Sequence, residues 1–340
     1  MNKIVLMKIV VRTPNWIGDA VLSLPALESL RKNFPQAQIW IATREWVQNL
    51  YASFSFIKGI IVLPDFDNLK NIKESAQKIK KHDFDIGLLL TNSFSSALLF
   101  YLAKIPKRWG YVRDNRGLLL TRGVALKKPD NASCHQVHYY LNLISGLSLQ
   151  AFPPELFLPL THVEKKWGEK ELASLGYNPG KPLVILNPGA YYGPAKRWPA
   201  AKFAELASIL QEKKNAEILI IGSPSEAALA KSIASSLAKK PINMAGKTTL
   251  RQLAVLISFA RLFVTNDSGP MHIANALRIP VIAIFGPTDP RVTGPLHQPS
   301  NVIKRTVSCW PCSYRECPFD HRCMMKIEPM DIFQACQDFL

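Results

Sequence analysis

Three stretches of the sequence place phosphate-handling and proton-handling residues where a strand hands over to a helix. In one, an apolar run rich in β-branched residues ends at Thr265-Asn266-Asp267-Ser268-Gly269, and a helical pattern begins with Pro270 in its first turn. Free backbone N–H groups at that helix start, the Thr265 and Ser268 hydroxyls and the small Gly269 make a seat for a phosphate. Asp267 is the odd member, because a carboxylate repels a phosphate unless it faces a sugar hydroxyl or caps the helix. Turns of this kind also occur with no ligand. His272, one turn into the helix, is either a hydrogen-bonded packing residue or part of the same seat.

The segment Asn187-Pro188-Gly189 to Lys196-Arg197-Trp198-Pro199 leaves a strand, makes a Gly/Pro-rich excursion and presents two cations just before a helix. Lys196 and Arg197 suit a diphosphate, although such cations are common on any surface. The third stretch, Arg12-Thr13-Pro14-Asn15-Trp16-Ile17-Gly18-Asp19, delivers Asp19 to a helix start. There it either complements the helix dipole or serves as a general base, and the helix N-terminus favours its ionised form. Glu226, in the turn Ile221-Gly222-Ser223-Pro224-Ser225-Glu226, either accepts hydrogen bonds from ribose hydroxyls or is an ordinary first-turn residue. Neither G-x-G-x-x-G nor G-x-x-x-x-G-K-[ST] occurs, which points away from dehydrogenases and P-loop enzymes.

The elements that must position these turns alternate. Strands are expected at Ile4 to Val11, Gln38 to Ala42, Ile57 to Leu63 and Phe84 to Leu90, then at Leu183 to Asn187, Ile218 to Ile221, Leu262 to Thr265 and Val281 to Phe285. Helical patterns lie between them, including a single helix over Asp19 to Asn33 and others near Leu69 to Lys80, Ser93 to Ala103 and His135 to Ser145. Near-continuous apolar strands separated by helices imply parallel sheets covered on both faces. Ala151 to Pro159, with three prolines in nine residues, reads as a stiff extended connector. The expected organisation is α/β: two doubly wound, Rossmann-like domains facing a cleft, residues 1–155 and 156–324, with a C-terminal helix over 325–340 that can pack back on the first domain.

Composition narrows the class. With 340 residues, 48% hydrophobic and 20% charged, the chain fits two ordinary folded domains. No uncharged apolar run approaches the length of a membrane span, and the start of the chain is too short and too charged for a secretory signal, so a cytoplasmic protein is expected. The formal charge of +17 favours an anionic partner. Its densest excess is Lys104, Lys107, Arg108, Arg113, Arg116, Arg122, Lys127 and Lys128 against Asp114 alone, which suits a phosphorylated substrate or an acidic membrane surface, or is simply a solvated basic loop. No nucleic-acid-binding signature accompanies it. Cys309, Cys312, Cys317 and Cys323 fall within fifteen residues, with His321 nearby. That spacing leaves three readings open: a structural metal such as zinc, reduced thiols in a loop, or disulfides.

Taken together, Asn15-Trp16-Ile17-Gly18-Asp19-Ala20-Val21-Leu22-Ser23-Leu24-Pro25-Ala26-Leu27, the Asn187-to-Pro199 segment and Thr265-Asn266-Asp267-Ser268-Gly269-Pro270-Met271-His272 resemble the heptosyltransferases of lipopolysaccharide inner-core assembly, glycosyltransferase family nine. The resemblance covers nearly the whole chain in the same order. It implies a glycosyltransferase B fold and inverting transfer from ADP-heptose with no required metal or cofactor. It also implies that the first domain holds a phosphorylated lipopolysaccharide inner-core acceptor, through Asn15, Trp16 and the basic residues Lys107, Arg108, Arg113 and Arg116, in peripheral contact with the inner face of the membrane. By the same likeness Asp19 is the base and Lys196 neutralises the leaving diphosphate. Asn187, Gly189, Arg197, Glu226, Thr265, Asp267, Ser268, Gly269 and His272 then line the donor site. The alternatives are a related glycosyltransferase with another core acceptor and a non-catalytic membrane-surface adaptor.

Overall fold

A computed structural model describes residues 6–126 and 135–340. The start of the expected first strand, together with Lys127, Lys128 and Cys134, lies outside the described residues. The chain divides into two compact units, Met1–Glu155 and Leu156–Leu340.

The first unit is built on six parallel strands: β1 (Lys8–Arg12), β2 (Gln38–Arg44), β3 (Ile57–Leu63), β4 (Ile86–Leu89), β5 (Lys107–Tyr111) and β6 (Arg122–Val124). Their order across the sheet is β3-β2-β1-β4-β5-β6. Ile9, Val10 and Val11 of the central β1 are fully buried, as a strand covered on both faces requires. The reversal of strand order beside β1 puts the loop that carries Asp19 at the carboxyl edge of the sheet. The single helix expected over Asp19 to Asn33 is two helices, Ile17–Leu22 and Leu24–Asn33, broken at Ser23. Pro25 has no N–H to continue the ladder, and the Ser23 hydroxyl donates instead to the Ala20 carbonyl at 2.8 Å.

The second unit repeats the plan with β7 (Leu183–Asn187), β8 (Glu217–Ile220), β9 (Ile242–Asn243), β10 (Leu262–Asn266), β11 (Val281–Phe285) and β12 (Ser300–Lys304). Their order is β12-β11-β10-β7-β8-β9, again all parallel. Every residue of β7, β10 and β11 is buried. The Pro-rich connector has neither helix nor strand, and the Leu156 N–H donates to His297 Nε2 at 2.8 Å inside the second unit. A helix with no counterpart in the expected pattern, His162–Ser174, is opened by a capping box between Thr161 and Glu164. The C-terminal helix, Pro329–Cys336, buries Ile332, Phe333 and Cys336 in the second unit's own core beside the helix Ala200–Lys214. Its apolar face is used within the second unit.

Candidate active site

In the second unit the side chains converge at the carboxyl ends of β7, β10 and β11. Asn187, the last residue of β7, donates from its amide to Thr265 Oγ1 at 2.8 Å and to Ser268 Oγ at 2.7 Å. Asn266 ends β10 and ties the neighbouring loop down. Its amide nitrogen donates to the Pro188 carbonyl at 2.8 Å, and its oxygen accepts from the Trp198 N–H at 3.0 Å. With the Trp198 ring almost wholly buried, the Lys196 turn is anchored on both sides.

Lys196 Nζ lies 2.5 Å from Asp267 Oδ2, and Thr288 Oγ1 donates to the same oxygen at 2.6 Å. The ion pair is nearly buried, with side-chain exposures of 11% and 5%. The carboxylate that looked out of place beside a phosphate seat is therefore neutralised by the cation expected to meet the diphosphate. Lys196 also stands 4.6 Å above the Tyr192 ring. Ser268 stands at the N-cap position of the helix Gly269–Ala276, and His272 is buried one turn further on. Arg197 reaches back to the Ala190 carbonyl at 3.3 Å.

Glu226 is buried in a capping box, its Oε2 accepting from the Ser223 N–H and hydroxyl, each at 2.8 Å. Gly189 lies against it, so close that a Cβ there would fall 2.1 Å from the carboxyl group. Glu226 thus caps its own turn beside the loop of Gly189.

Two contributors were not singled out from the sequence, Asn266 and Thr288. Thr288 sits in Gly286-Pro287-Thr288-Asp289, a Gly/Pro turn directly after β11, which is itself a strand-end signal.

The cysteine segment packs on these turns. The Ala195 N–H donates to the Arg315 carbonyl at 3.0 Å, the Tyr192 hydroxyl to the Ser313 carbonyl at 2.7 Å, and the indole of Trp310 to the Thr288 carbonyl at 3.2 Å. His321 Nε2 lies 2.7 Å from the Ala195 carbonyl. Cys309, Cys312, Cys317 and Cys323 line one cavity of about 120 Å³ as free thiols. Burial, and then the neighbouring thiols, push the Cys323 thiol up, which favours its neutral form. Among the described residues no three His, Cys, Asp or Glu side chains are grouped to hold a metal ion. His321 is engaged with the backbone of the Lys196 turn.

In the first unit Asp19 occupies the first turn of the helix Ile17–Leu22. The Tyr140 hydroxyl, from the helix Gln136–Gly146, lies 3.3 Å from Asp19 Oδ1. Burial, and then the charge of Asp19, hold the Tyr140 phenol well above its usual range, so it remains a donor. Asn15 is fixed from both ends: Arg12 donates to its side-chain oxygen at 2.6 Å, and its carbonyl accepts from the Trp46 indole at 2.8 Å. Burial, with Arg44 next, pushes the Arg12 guanidinium down to about 9. Trp16 and Trp46 remain half exposed on either side of Asn15.

The basic residues divide. Lys107 and Arg113 are exposed. Arg108 donates to the Leu119 carbonyl at 2.7 Å and the Ile105 carbonyl at 2.6 Å. Arg116 is fully buried, donating to the Tyr111 carbonyl at 2.9 Å and to the Thr91 carbonyl. A guanidinium with no exposed surface and its donors on backbone carbonyls supports the chain around it.

Two doubly wound parallel sheets in one chain, with the polar turns at the carboxyl ends of their strands, are the architecture of the glycosyltransferase B fold. The family model described as glycosyltransferase family 9 (heptosyltransferase) matches residues 72–322, and the chain belongs to that family. Among curated relatives, lipooligosaccharide heptosyltransferase 2 of Haemophilus ducreyi is 33% identical over 88% of both chains. The Campylobacter jejuni protein of the same name is 32% identical over 96% of this chain and 98% of its own. The solved structure of Escherichia coli ADP-heptose LPS heptosyltransferase II superposes with a TM-score of 0.84 at 28% identity, covering 98% of each chain. No helix among the described residues is long and apolar enough to cross a membrane.

Proposed function

We propose that the protein transfers L-glycero-D-manno-heptose from ADP-heptose to the heptosyl-Kdo-lipid A inner core of lipopolysaccharide. The observation that carries this reading is the Lys196–Asp267–Thr288 cluster beside the linked Asn187, Thr265 and Ser268 side chains, in a chain of family 9. In the reaction an acceptor hydroxyl oxygen attacks the anomeric carbon of the heptose. The bond from that carbon to the diphosphate breaks, its electron pair stays on ADP, and the configuration inverts. Asp19 takes the hydroxyl proton, held in line by Tyr140. Lys196 and the amides at the start of Gly269–Ala276 take up the charge that develops on the leaving diphosphate. No step needs a metal, because fixed donors supply that stabilisation.

Asn15, Trp16, Lys107 and Arg113 serve the acceptor; Gly189, Arg197, Glu226 and His272 complete the donor site. The enzyme works in the cytoplasm, in peripheral contact with the inner membrane that carries its acceptor. The test is to incubate purified protein with ADP-heptose and heptose-truncated lipopolysaccharide, following ADP release and product mass. Acceptor-dependent ADP release with one added heptose supports the reading. Product only from a more complete core would make it a transferase for another core position, and no ADP release from any donor would leave an adaptor.

A further inference from the structure

The crossover from β5 to β6 presents apolar side chains to solvent on a turn that is held firmly from below. Leu118, in the short helical turn Gly117–Leu119, is 97% exposed. Val112, half exposed, adjoins it, since a Cβ on Gly117 would sit 3.3 Å from the Val112 side chain. Loose loops often expose a leucine, but this one is braced. Arg108 holds the Leu119 carbonyl, the Thr121 hydroxyl accepts from the Arg108 N–H at 2.7 Å, and buried Arg116 spans from the Tyr111 carbonyl to that of Thr91. A rigid apolar tip of this kind gains from being covered. Exposed Arg113 follows Val112 and exposed Arg122 precedes Gly123, which packs on Val112, so the tip is flanked by cations.

We infer that this tip docks on an anionic phospholipid bilayer, with Leu118 and Val112 entering the headgroup–acyl boundary and Arg113 and Arg122 meeting lipid phosphates. An apolar centre between cations is the pattern that interfacial proteins use, and charge complementarity selects acidic lipid over neutral. The inference rests on the proposed function for its purpose, a lipid-anchored acceptor. The fold connects the two: Arg116 and Tyr139 both bond the Asn92 side chain, at 3.5 and 2.8 Å, and the adjacent Tyr140 meets Asp19. Docking at Leu118 therefore fixes the height of the base above the bilayer.

The test compares the full-length protein with Leu118→Glu and Leu118→Trp. It uses sedimentation with vesicles of phosphatidylethanolamine and phosphatidylglycerol or of phosphatidylcholine alone, and transfer to vesicle-embedded and to deacylated, water-soluble acceptor. Wild type should sediment with the anionic vesicles and lose that binding at high salt. Leu118→Glu should bind about tenfold less, the order expected for burying one leucine side chain, while Leu118→Trp binds at least as well as wild type. Leu118→Glu should also raise KM for the embedded acceptor and leave transfer to the soluble acceptor unchanged. Unchanged vesicle binding by Leu118→Glu, equal binding to neutral vesicles, or an equal loss on the soluble acceptor each overturns the inference. If wild type transfers to neither acceptor yet binds vesicles through Leu118, the proposed function fails and the docking surface stands.

Discussion

Lys196 and Asp267 come from different strand-end turns of the second unit and meet at 2.5 Å, with Thr288 on the same carboxylate oxygen. In the proposed reaction the Lys196 ammonium meets the donor diphosphate, and this pair sets its orientation. Lys196→Ala removes the charge that meets ADP and leaves the Asp267 carboxylate buried without its cation. Removing one such stabilising donor costs about 10²–10³ in rate, and breaking a buried pair costs about 3 kcal/mol of stability. Steady-state kinetics should show donor KM and kcat affected together, with a lower Tm. The added change Asp267→Ala should recover Tm but not turnover; a double variant no more stable than Lys196→Ala would show that the pair is not what holds the turn.

In the proposed reaction Asp19 is the proton acceptor and Tyr140 its positioning group. Asp19→Asn keeps the shape of the side chain and loses the base, so transfer should fall by about 10²–10⁴ while ADP-heptose binding, measured by calorimetry, stays as in wild type. Tyr140→Phe removes one hydrogen bond to the carboxylate, a change of about 1 kcal/mol. It should lower kcat about fivefold, leave donor KM alone and shift the acid limb of the pH–rate profile to higher pH, because Asp19 loses a bond that favours its ionised form. An unaltered acid limb would mean the tyrosine only packs.

Much of this site was legible because the turns that carry it are local in sequence. Asn187, Thr265 and Ser268 each end or follow an apolar strand, and a strand end with polar residues announces itself. The roles of Asp267 and Arg116 were not legible, because each depends on a partner brought by the fold. Asp267 looks repulsive until Lys196, 71 residues away, is placed on it. Arg116 looks like one more cation in a basic stretch until β5 and β6, short strands hidden among those charges, form a sheet edge around it. The cysteine segment is similar: its spacing leaves a metal, free thiols and disulfides open, and says nothing of the backbone contacts by which it clamps the Lys196 and Thr288 turns.

That clamp makes Gly193 a sensitive position. Its backbone is extended, so conformation alone would admit any residue, but a Cβ there would fall 2.3 Å from the Arg315 carbonyl oxygen. Gly193→Ala must push the cysteine segment away from the turn of Lys196. Overpacking of this kind costs about 1–3 kcal/mol, and the displaced Lys196 should raise donor KM severalfold with little effect on acceptor KM. If Tm and donor KM both match wild type, the segment is not a clamp.

The ion pair of Arg251 with Glu164 gives the second unit a defined acid sensitivity. Arg251 donates to both carboxylate oxygens and to the Pro159 carbonyl, joining the capped start of His162–Ser174 to the connector. The hydrogen bond from Arg251, more than its charge, brings the Glu164 carboxyl down to about 2. A carboxyl whose folded value lies below its unfolded value, about 4.3, stabilises the protein above the unfolded value, and that contribution fades as pH falls towards 2. Arg251→Gln should therefore lower Tm at pH 7 and lower it much less at pH 2.5, because at the lower pH the carboxylate's advantage is already partly lost. Thermal unfolding of both proteins across that range decides it. A Tm difference that stays constant from pH 7 to pH 2.5 would place the stabilisation in the Pro159 hydrogen bond, which does not titrate, and not in the carboxylate.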